Sequence, residues 1–374
     1  MNPAPAYDWT SLTGLALIAL AIVSLVLMFA WWRGGLRHRS RTQRVGALAA
    51  LTLFLCFDLV CFGAFTRLSD SGLGCPDWPG CYATASPVAA ARSIADAQAR
   101  APDGPVTERK AWIEMIHRYF AMALGALIIL MLVAAAMARD RRAMAWALVT
   151  LSWVIGQGMF GALTVTWKLY PAIVTGHLLG GMGLLALLAI QAPAPADGDV
   201  PARWRLTARD RLALGIAALA LLVQIALGGW VSTNYAVLAC SGFPQCNGRW
   251  WPAMDWPGGF TLARALGRDA HGEPIAMTAL VAIQWAHRLF ALALTAAMGW
   301  LVARLAGRGP AARRRALLIA GLVVLQWATG LSNVVLGWPM VAALAHTAGA
   351  AALVICLGLE AAAVLKSRNR FLSP

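Results

Sequence analysis

The chain has 374 residues, 60% of them apolar and only 13% charged, yet it carries a formal net charge of +15. Average soluble domains are about a quarter charged, so this chain has too little polar surface to cover a water-soluble globule. Disorder, collagen and small disulfide scaffolds are excluded by the same figures, and the placement of the positive charge must decide between nucleic acid, anionic lipid and membrane topology.

Nine apolar stretches, each long enough to cross a bilayer core of about 30 Å, follow one another along the chain. They lie at residues 12–32, 45–66, 111–137, 143–166, 171–191, 212–233, 276–303, 316–336 and 340–362. Barrel strands would be short and alternating, so the reading is an all-α integral membrane protein. The first stretch lacks a basic leader and exceeds a signal-peptide core, and it is expected to be a retained helix. Five Arg follow it at 33–44, three lie at 138–142, four at 203–211, five at 304–315, and three Lys or Arg follow residue 365. These loops alternate and hold 20 basic residues, against nine in the loops between them. By the positive-inside rule they are cytoplasmic, which puts the N-terminus outside and the C-terminus inside. The charge is thus a topology signal, and no nucleic-acid partner is expected. Two outer loops, 67–110 and 234–275, are long; the Ala/Pro/Asp stretch near 192–201 reads as a linker.

The second half echoes the first at an offset of 165 to 170 residues. Cys75 and Cys81 recur as Cys240 and Cys246, EMIHR at 114–118 as QWAHR at 284–288, Gln157 and Gly161 as Gln326 and Gly330, and His177 as His346. Four spans separate corresponding elements, so the repeats are parallel. The expected organisation is an extra N-terminal helix with its basic loop at 1–44, a four-helix half at 45–191, a linker at 192–211, a second four-helix half at 212–365 and a tail at 366–374.

His117, His177, His287 and His346 fall near the outer ends of alternate spans. A lone intramembrane His is more often a hydrogen-bonding group, but four at repeat-related positions point to ligands. Zinc would favour a mixed cluster at one point; two His on alternate helices of each bundle suit axial ligation of heme iron, one heme per half. With no inner-leaflet His in any span, electron transfer across the bilayer is disfavoured. Glu114 lies one turn before His117, whereas the neutral Gln284 precedes His287, which suggests one reactive heme and one relay heme. Glu114 can also simply pair with Arg118. Arg118 and Arg288, each following a ligand His, are candidates for heme propionates, with backbone carbonyls as the plainer partners. His38 and His271 read as solvated, and Asp58 has no assignment.

These residues resemble the heme A synthase family in its proteobacterial form. The resembling stretches are TRLSDSGLGCPDWPGC at 66–81, EMIHR, GHLLGG at 176–181, LGGWVSTNYAVLACSGFPQCNGRWWP at 227–252, QWAHR, and AHTAGA at 345–350, together spanning 45–365. The family fold is eight helices in two pseudo-repeated four-helix halves, to which the helix at 12–32 is an addition. The resemblance implies oxidation of the C8 methyl of heme O to a formyl group, giving heme A for cytochrome oxidase. It places substrate heme between His117 and His177 and a heme b cofactor between His287 and His346, with Glu114 as the catalytic carboxylate. Glu114 would stabilise a positively charged intermediate at the methyl carbon or take up its proton. Implied partners are the heme O-forming farnesyltransferase, an electron donor and the lipid bilayer; a homo-oligomer is compatible with the sequence.

Cys75/Cys81 and Cys240/Cys246 lie in the outer loops, where an oxidising compartment would let each pair close a small disulfide loop. A structural clamp is the main reading for both, with a redox role open for Cys75–Cys81. Cys56, Cys61 and Cys356 lie in spans and read as inert. Trp78, Trp250, Trp251 and Trp256 fit interfacial anchors or walls over a porphyrin. The alternative to an enzyme is a non-catalytic bis-His diheme b-type cytochrome; a heme transporter or chaperone is a third class.

Overall fold

The computed structural model describes residues 10–32, 40–192 and 206–369. Most of the expected linker, His38, the first nine residues and the last five lie outside the described residues. Among the described residues the chain is all-helical, with nine helices long and apolar enough to span a membrane. These are α1 (Thr10–Trp32), α2 (Arg41–Leu68), α4 (Glu108–Met137), α5 (Arg141–Thr166), α6 (Pro171–Gln191), α7 (Ala208–Thr233), α9 (Met277–Ala306), α10 (Pro310–Val335) and α11 (Met340–Asn369). Two shorter helices, α3 (Ala91–Arg100) and α8 (Trp256–Gly259), lie in the long loops and were not expected.

The helices begin where local chemistry satisfies their first N–H groups. Ser40 and Gln43 form a capping box on α2, and Thr207 and Asp210 form one on α7. Asp140 accepts from Arg142 and Ala143 N–H at the start of α5, and Pro171 and Pro310 open α6 and α10 in the first turn. In hydrocarbon an unsatisfied backbone group costs several kcal/mol, which makes uninterrupted helix the only economical solution between these caps. Buried hydroxyls follow the same rule: Thr52 donates to Leu48 O at 2.7 Å and Thr150 to Trp146 O at 2.8 Å.

The helices group into two compact units, Met1–Leu169 and Tyr170–Pro374. In the first, α4 is central and packs against α1, α2, α3 and α5. In the second, α7 and α9 pair closely, α10 packs on α9 and α11, and α6 packs on α7 and α11. The basic-loop ends of this unit are tied by ions. Asp210, fully buried at the start of α7, takes Arg304 Nε at 2.9 Å from the last turn of α9 and Arg308 from the turn that follows it. Arg315 at the start of α10 pairs with the buried Glu360 of α11.

The additional helix α1 is built into the first unit rather than appended to it. Its inward stripe is Ser11, Leu15, Ala19 and Val23, all buried at helical spacing. Val23 packs with Ala123 and Leu127 of α4. Leu15 joins the cluster that contains Cys75, Cys81, Ile94, Met115 and Tyr119. At Gly14 an added Cβ would sit 2.5 Å from the Cβ of Ala85, so only glycine lets α1 approach the first long loop so closely. Gly14→Leu is therefore expected to lower stability by about 1–3 kcal/mol through overpacking. Thermal unfolding of the detergent-solubilised chain measures this, with Leu17→Ala on the exposed face of α1 as the neutral control.

Candidate functional site

Each long loop forms a disulfide-closed turn, Cys75–Cys81 and Cys240–Cys246. The two turns are built alike: Cys81 pairs with Thr84 and Cys246 with Arg249 in short antiparallel bridges. What holds the turns down is an arginine from the helix below. Arg118 Nη1 donates to the carbonyls of Asp77 at 2.9 Å and Pro79 at 3.2 Å, and to Gly80. Arg288 Nη1 donates to Gly242 O at 2.9 Å and Gln245 O at 3.3 Å, and its Nη2 to Cys240 O at 2.6 Å. Residues 77 and 80 correspond to 242 and 245 in the repeat, so the same lock is made twice. Guanidinium suits the task because its rigid planar fork presents several donors at once. Of the two partners open for these arginines in the sequence, loop carbonyls are the ones engaged here; Nε of Arg288 is buried without a partner among the described residues.

The two locks differ at the residue one turn earlier. Glu114 Oε1 pairs with Nη2 of Arg118, and Oε2 accepts the backbone N–H of Cys75 at 2.8 Å. Both side chains are buried. Gln284 is buried at the corresponding place, but its Oε1 has no partner. The carboxylate thus has a fixed orientation set by the helix and the loop together, while the amide is held by packing alone. Tyr119 adds a further tie, its hydroxyl donating to Ala85 O at 2.8 Å.

Of the four histidines, His117 lies in the first compact unit, whereas α6 brings His177 into the second with His287 and His346, so the unit boundary falls before α6 and not at the expected end of the first half at 191. His117 on α4 stacks on Phe62 of α2 with ring centres 6.4 Å apart and planes 10° apart. An added Cβ at Gly63 would meet His117 Cε1 at 3.0 Å, and one at Gly228 would meet His287 Cε1 at the same 3.0 Å. Gly330 stands likewise to His346 at 3.2 Å. These three glycines make room for the rings, and only Gly330 was singled out by the repeat pattern. His177 on α6 is aligned with no protein acceptor at Nδ1.

In the second unit His287 of α9 and His346 of α11 face one another, ring centres 6.4 Å apart and planes at 73°. A metal–imidazole bond of about 2 Å, plus about 1 Å from nitrogen to ring centre, counted on both sides, gives about 6 Å. The observed 6.4 Å is close to that figure. Thr329 fixes the tautomer on one side: its hydroxyl donates to Leu325 O at 2.7 Å, so its oxygen accepts from Nδ1–H of His346 at 2.9 Å. That leaves the lone pair of Nε2 for a ligand. On the other side the Gln224 amide lies 3.2 Å from Nδ1 of His287 and 3.1 Å from its carbonyl oxygen. Neither Thr329 nor Gln224 was legible as a site residue, since a hydroxyl or amide two turns along another helix carries no motif. Among the described residues no cluster of three or more His, Cys, Asp or Glu is arranged around a metal point.

Other expected residues fall outside these groups. Asp58 lies on the exposed face of α2 and nothing in the structure explains it. His271 is exposed in the second long loop. Cys56 is buried and Cys61 and Cys356 half-buried, all three as free thiols within spans. Trp78, Trp250, Trp251 and Trp256 are exposed in the long loops, as interfacial anchors would be.

Residues 46–357 match the family model described as COX15-CtaA, cytochrome oxidase assembly protein. The chain is similar to the heme A synthase of Shewanella oneidensis, 35% identical over 316 residues that cover 83% of this chain and 93% of the relative. It is similar as well to the heme A synthases of a Methylobacterium species, 31% identical over 82% of this chain and 88% of the relative, and of Rhizorhabdus wittichii, 28% identical over 86% and 95%. The region that matches the family model begins after α1.

Two expectations follow for the locks. Arg118→Ala leaves a buried carboxylate without its cation and should cost about 3–5 kcal/mol, most of it regained in the Arg118→Ala/Glu114→Gln double variant. Arg288→Ala, which strands only carbonyls, should cost about 1.5–3 kcal/mol. Thermal unfolding in detergent ranks the three.

Proposed function

The chain belongs to the COX15-CtaA family of heme A synthases and is a multi-pass membrane oxidoreductase that converts heme O to heme A; from that premise we propose how its residues divide the work. His287 and His346 hold a heme b cofactor in the C-terminal half, 212–365. His117 and His177 bracket the iron of the substrate heme O in the N-terminal half, 45–191. The first assignment is supported by the ring spacing, the tautomer set by Thr329 and the glycine cradle. The second rests on the repeat, the family motifs and the matching glycine beneath His117.

The observation that carries the reading is the difference one turn before each ligand, Glu114 against Gln284. A carboxylate anchored through both oxygens is suited to act as a fixed negative charge toward a methyl carbon that becomes electron-poor as it is oxidised. Its engagement with Arg118 and Cys75 N–H favours this electrostatic role over uptake of a proton. Heme iron, when bound, supplies the redox chemistry. The protein orients the ligand nitrogens, sets the charge on one side only, and covers the long-loop end of each half with a disulfide turn that limits water. Cys75–Cys81 then acts as a structural clamp that presents the Cys75 N–H to Glu114.

By the positive-inside rule the long loops face the periplasm, with the N-terminus outside and the C-terminus in the cytoplasm. Heme O arrives laterally from the bilayer, as a farnesylated porphyrin would, from the farnesyltransferase that forms it. An electron donor completes the set of partners. The diheme-cytochrome alternative has no use for the Glu114 arrangement.

Glu114→Gln should abolish formation of heme A while heme b stays bound, read by extracting and separating the pigments of the purified chain. Normal heme A from this variant would remove Glu114 from the reaction. Gly228→Ala should push the His287 ring aside and deplete heme b. Gly299→Ala, whose added Cβ meets nothing within 4 Å, should not. The pyridine hemochrome spectrum per chain tells them apart.

A further inference from the structure

Arg264, in the second long loop, is 3% exposed. Its Nε donates to Thr261 O at 3.2 Å and its Nη1 to Arg268 O at 3.1 Å. The guanidinium carbon lies 5.5 Å from the ring centre of Trp230, a cation–π contact. Nη2 is buried and has no partner. No ion pair joins Arg264 to a carboxylate among the described residues, unlike the buried Asp210 and Glu360, which each have arginine partners.

Burying a cation with two carbonyls and a ring face for company is expensive, and buried charges are normally paired. The nearest acidic influence, Asp269, is occupied elsewhere: Oδ1 accepts the N–H of His271 at 2.8 Å and of Glu273 at 2.9 Å. Burial acts to raise the Asp269 carboxyl, but these backbone donors outweigh it and hold the group below its ordinary value. Burial pushes the Arg264 guanidinium down from its ordinary value, against the fields of Asp269 and Tyr170. Arg264 is therefore a half-satisfied buried cation whose Nη2 finds no acceptor among the described residues.

Its position says which anion. Trp230, on which Arg264 rests, packs with Ile283 of α9 and follows by two residues the Gly228 that abuts the His287 ring. The group sits at the long-loop end of the α7–α9 pair, the end of α9 nearer to His287, and a porphyrin held there would bring two carboxylates of its own. Arg118 spends its Nη donors on loop carbonyls and Glu114, and Arg288 spends its own on loop carbonyls. We propose that Arg264 is a carboxylate-binding residue whose ligand is a porphyrin propionate, held through the unmatched Nη2 donor. This rests on the heme sites proposed above.

The test uses the full chain produced in heme-limited cells and loaded with heme b or with heme b dimethyl ester, whose propionates are blocked. Arg264→Gln should weaken heme b binding roughly tenfold to a hundredfold, the range of one charge-assisted hydrogen bond. The ester should lose a similar factor on the wild-type chain and nothing further on the variant, and Arg264→Lys should restore part of the binding. If heme b binding is unchanged but the KM for heme O rises by the same factor in Arg264→Gln, the propionate belongs to the substrate, and the proposal stands in that form. If the variant distinguishes heme from its ester as the wild type does, and the KM for heme O is unchanged, Arg264 binds no propionate and the proposal falls. If Arg264→Gln does not fold, the ester comparison on the wild-type and Lys chains decides: equal binding of heme and ester overturns the proposal. A wild-type chain that takes up no heme b at all overturns the ligand assignment itself, and this inference with it.

Discussion

Two guanidinium groups hold two closed loops by their carbonyls, and the long-loop side of the protein is organised around that interaction. A backbone turn lying over the end of a helix bundle presents carbonyl oxygens that find neither a strand partner nor a helix turn. Arg118 and Arg288 collect those oxygens into one fork each, which ties the turn and its disulfide to the helix bearing His117 or His287. Since each arginine directly follows a histidine, the lock also restrains the rotation of the helix that carries His117 or His287. In the first half the fork has an additional load, Glu114, and the loop answers with the N–H of Cys75. A carboxylate in such a place would otherwise be a heavy liability; here the means of holding the loop also make it tolerable.

Apolar helices in lipid have little hydrophobic reason to prefer one neighbour over another, so register must come from polar ties and close approach. The second unit has ties at both ends, Arg288 at the loop side and the Asp210 and Glu360 ion pairs at the basic side. Buried ion pairs are weak sources of net stability, and their value here is in fixing which helix ends meet. In the first unit α1 supplies an analogous constraint by contact, with Leu15 inserted beside both cysteines and Gly14 against Ala85.

The spans were legible because twenty or so apolar residues between charged loops have one explanation. Their ends were less so. The stretch expected at 316–336 is helix from Pro310, since apolarity marks the thickness of the hydrocarbon and not the length of the helix; Arg313, Arg314 and Arg315 are helical but polar. The helix α3 has the same origin: its sequence ARSIADAQAR is amphipathic with only Ile94 buried, far below any spanning signal. The histidines and Glu114 stood out because ionisable groups are rare in spans and the repeat aligned them. What the arginines touch depends on where a loop forty residues away folds back, and no local pattern encodes that. Thr329, Gln224 and Arg264 were invisible for the same reason, each acquiring meaning only from a neighbour distant in the chain.

The glycines beneath the histidine rings have a consequence for how such a duplicated protein can change. At Gly63, Gly228 and Gly330 the space a methyl group would need is already filled by an imidazole. Lipid-facing positions can exchange one apolar residue for another indefinitely, and the two halves can drift apart there without penalty. At these three positions every available substitution adds atoms and displaces a ring. Divergence after duplication is thereby steered away from the cradle and toward residues such as 114 and 284, where side chains of nearly equal volume differ only in charge. The two halves can acquire different chemistry while keeping one geometry.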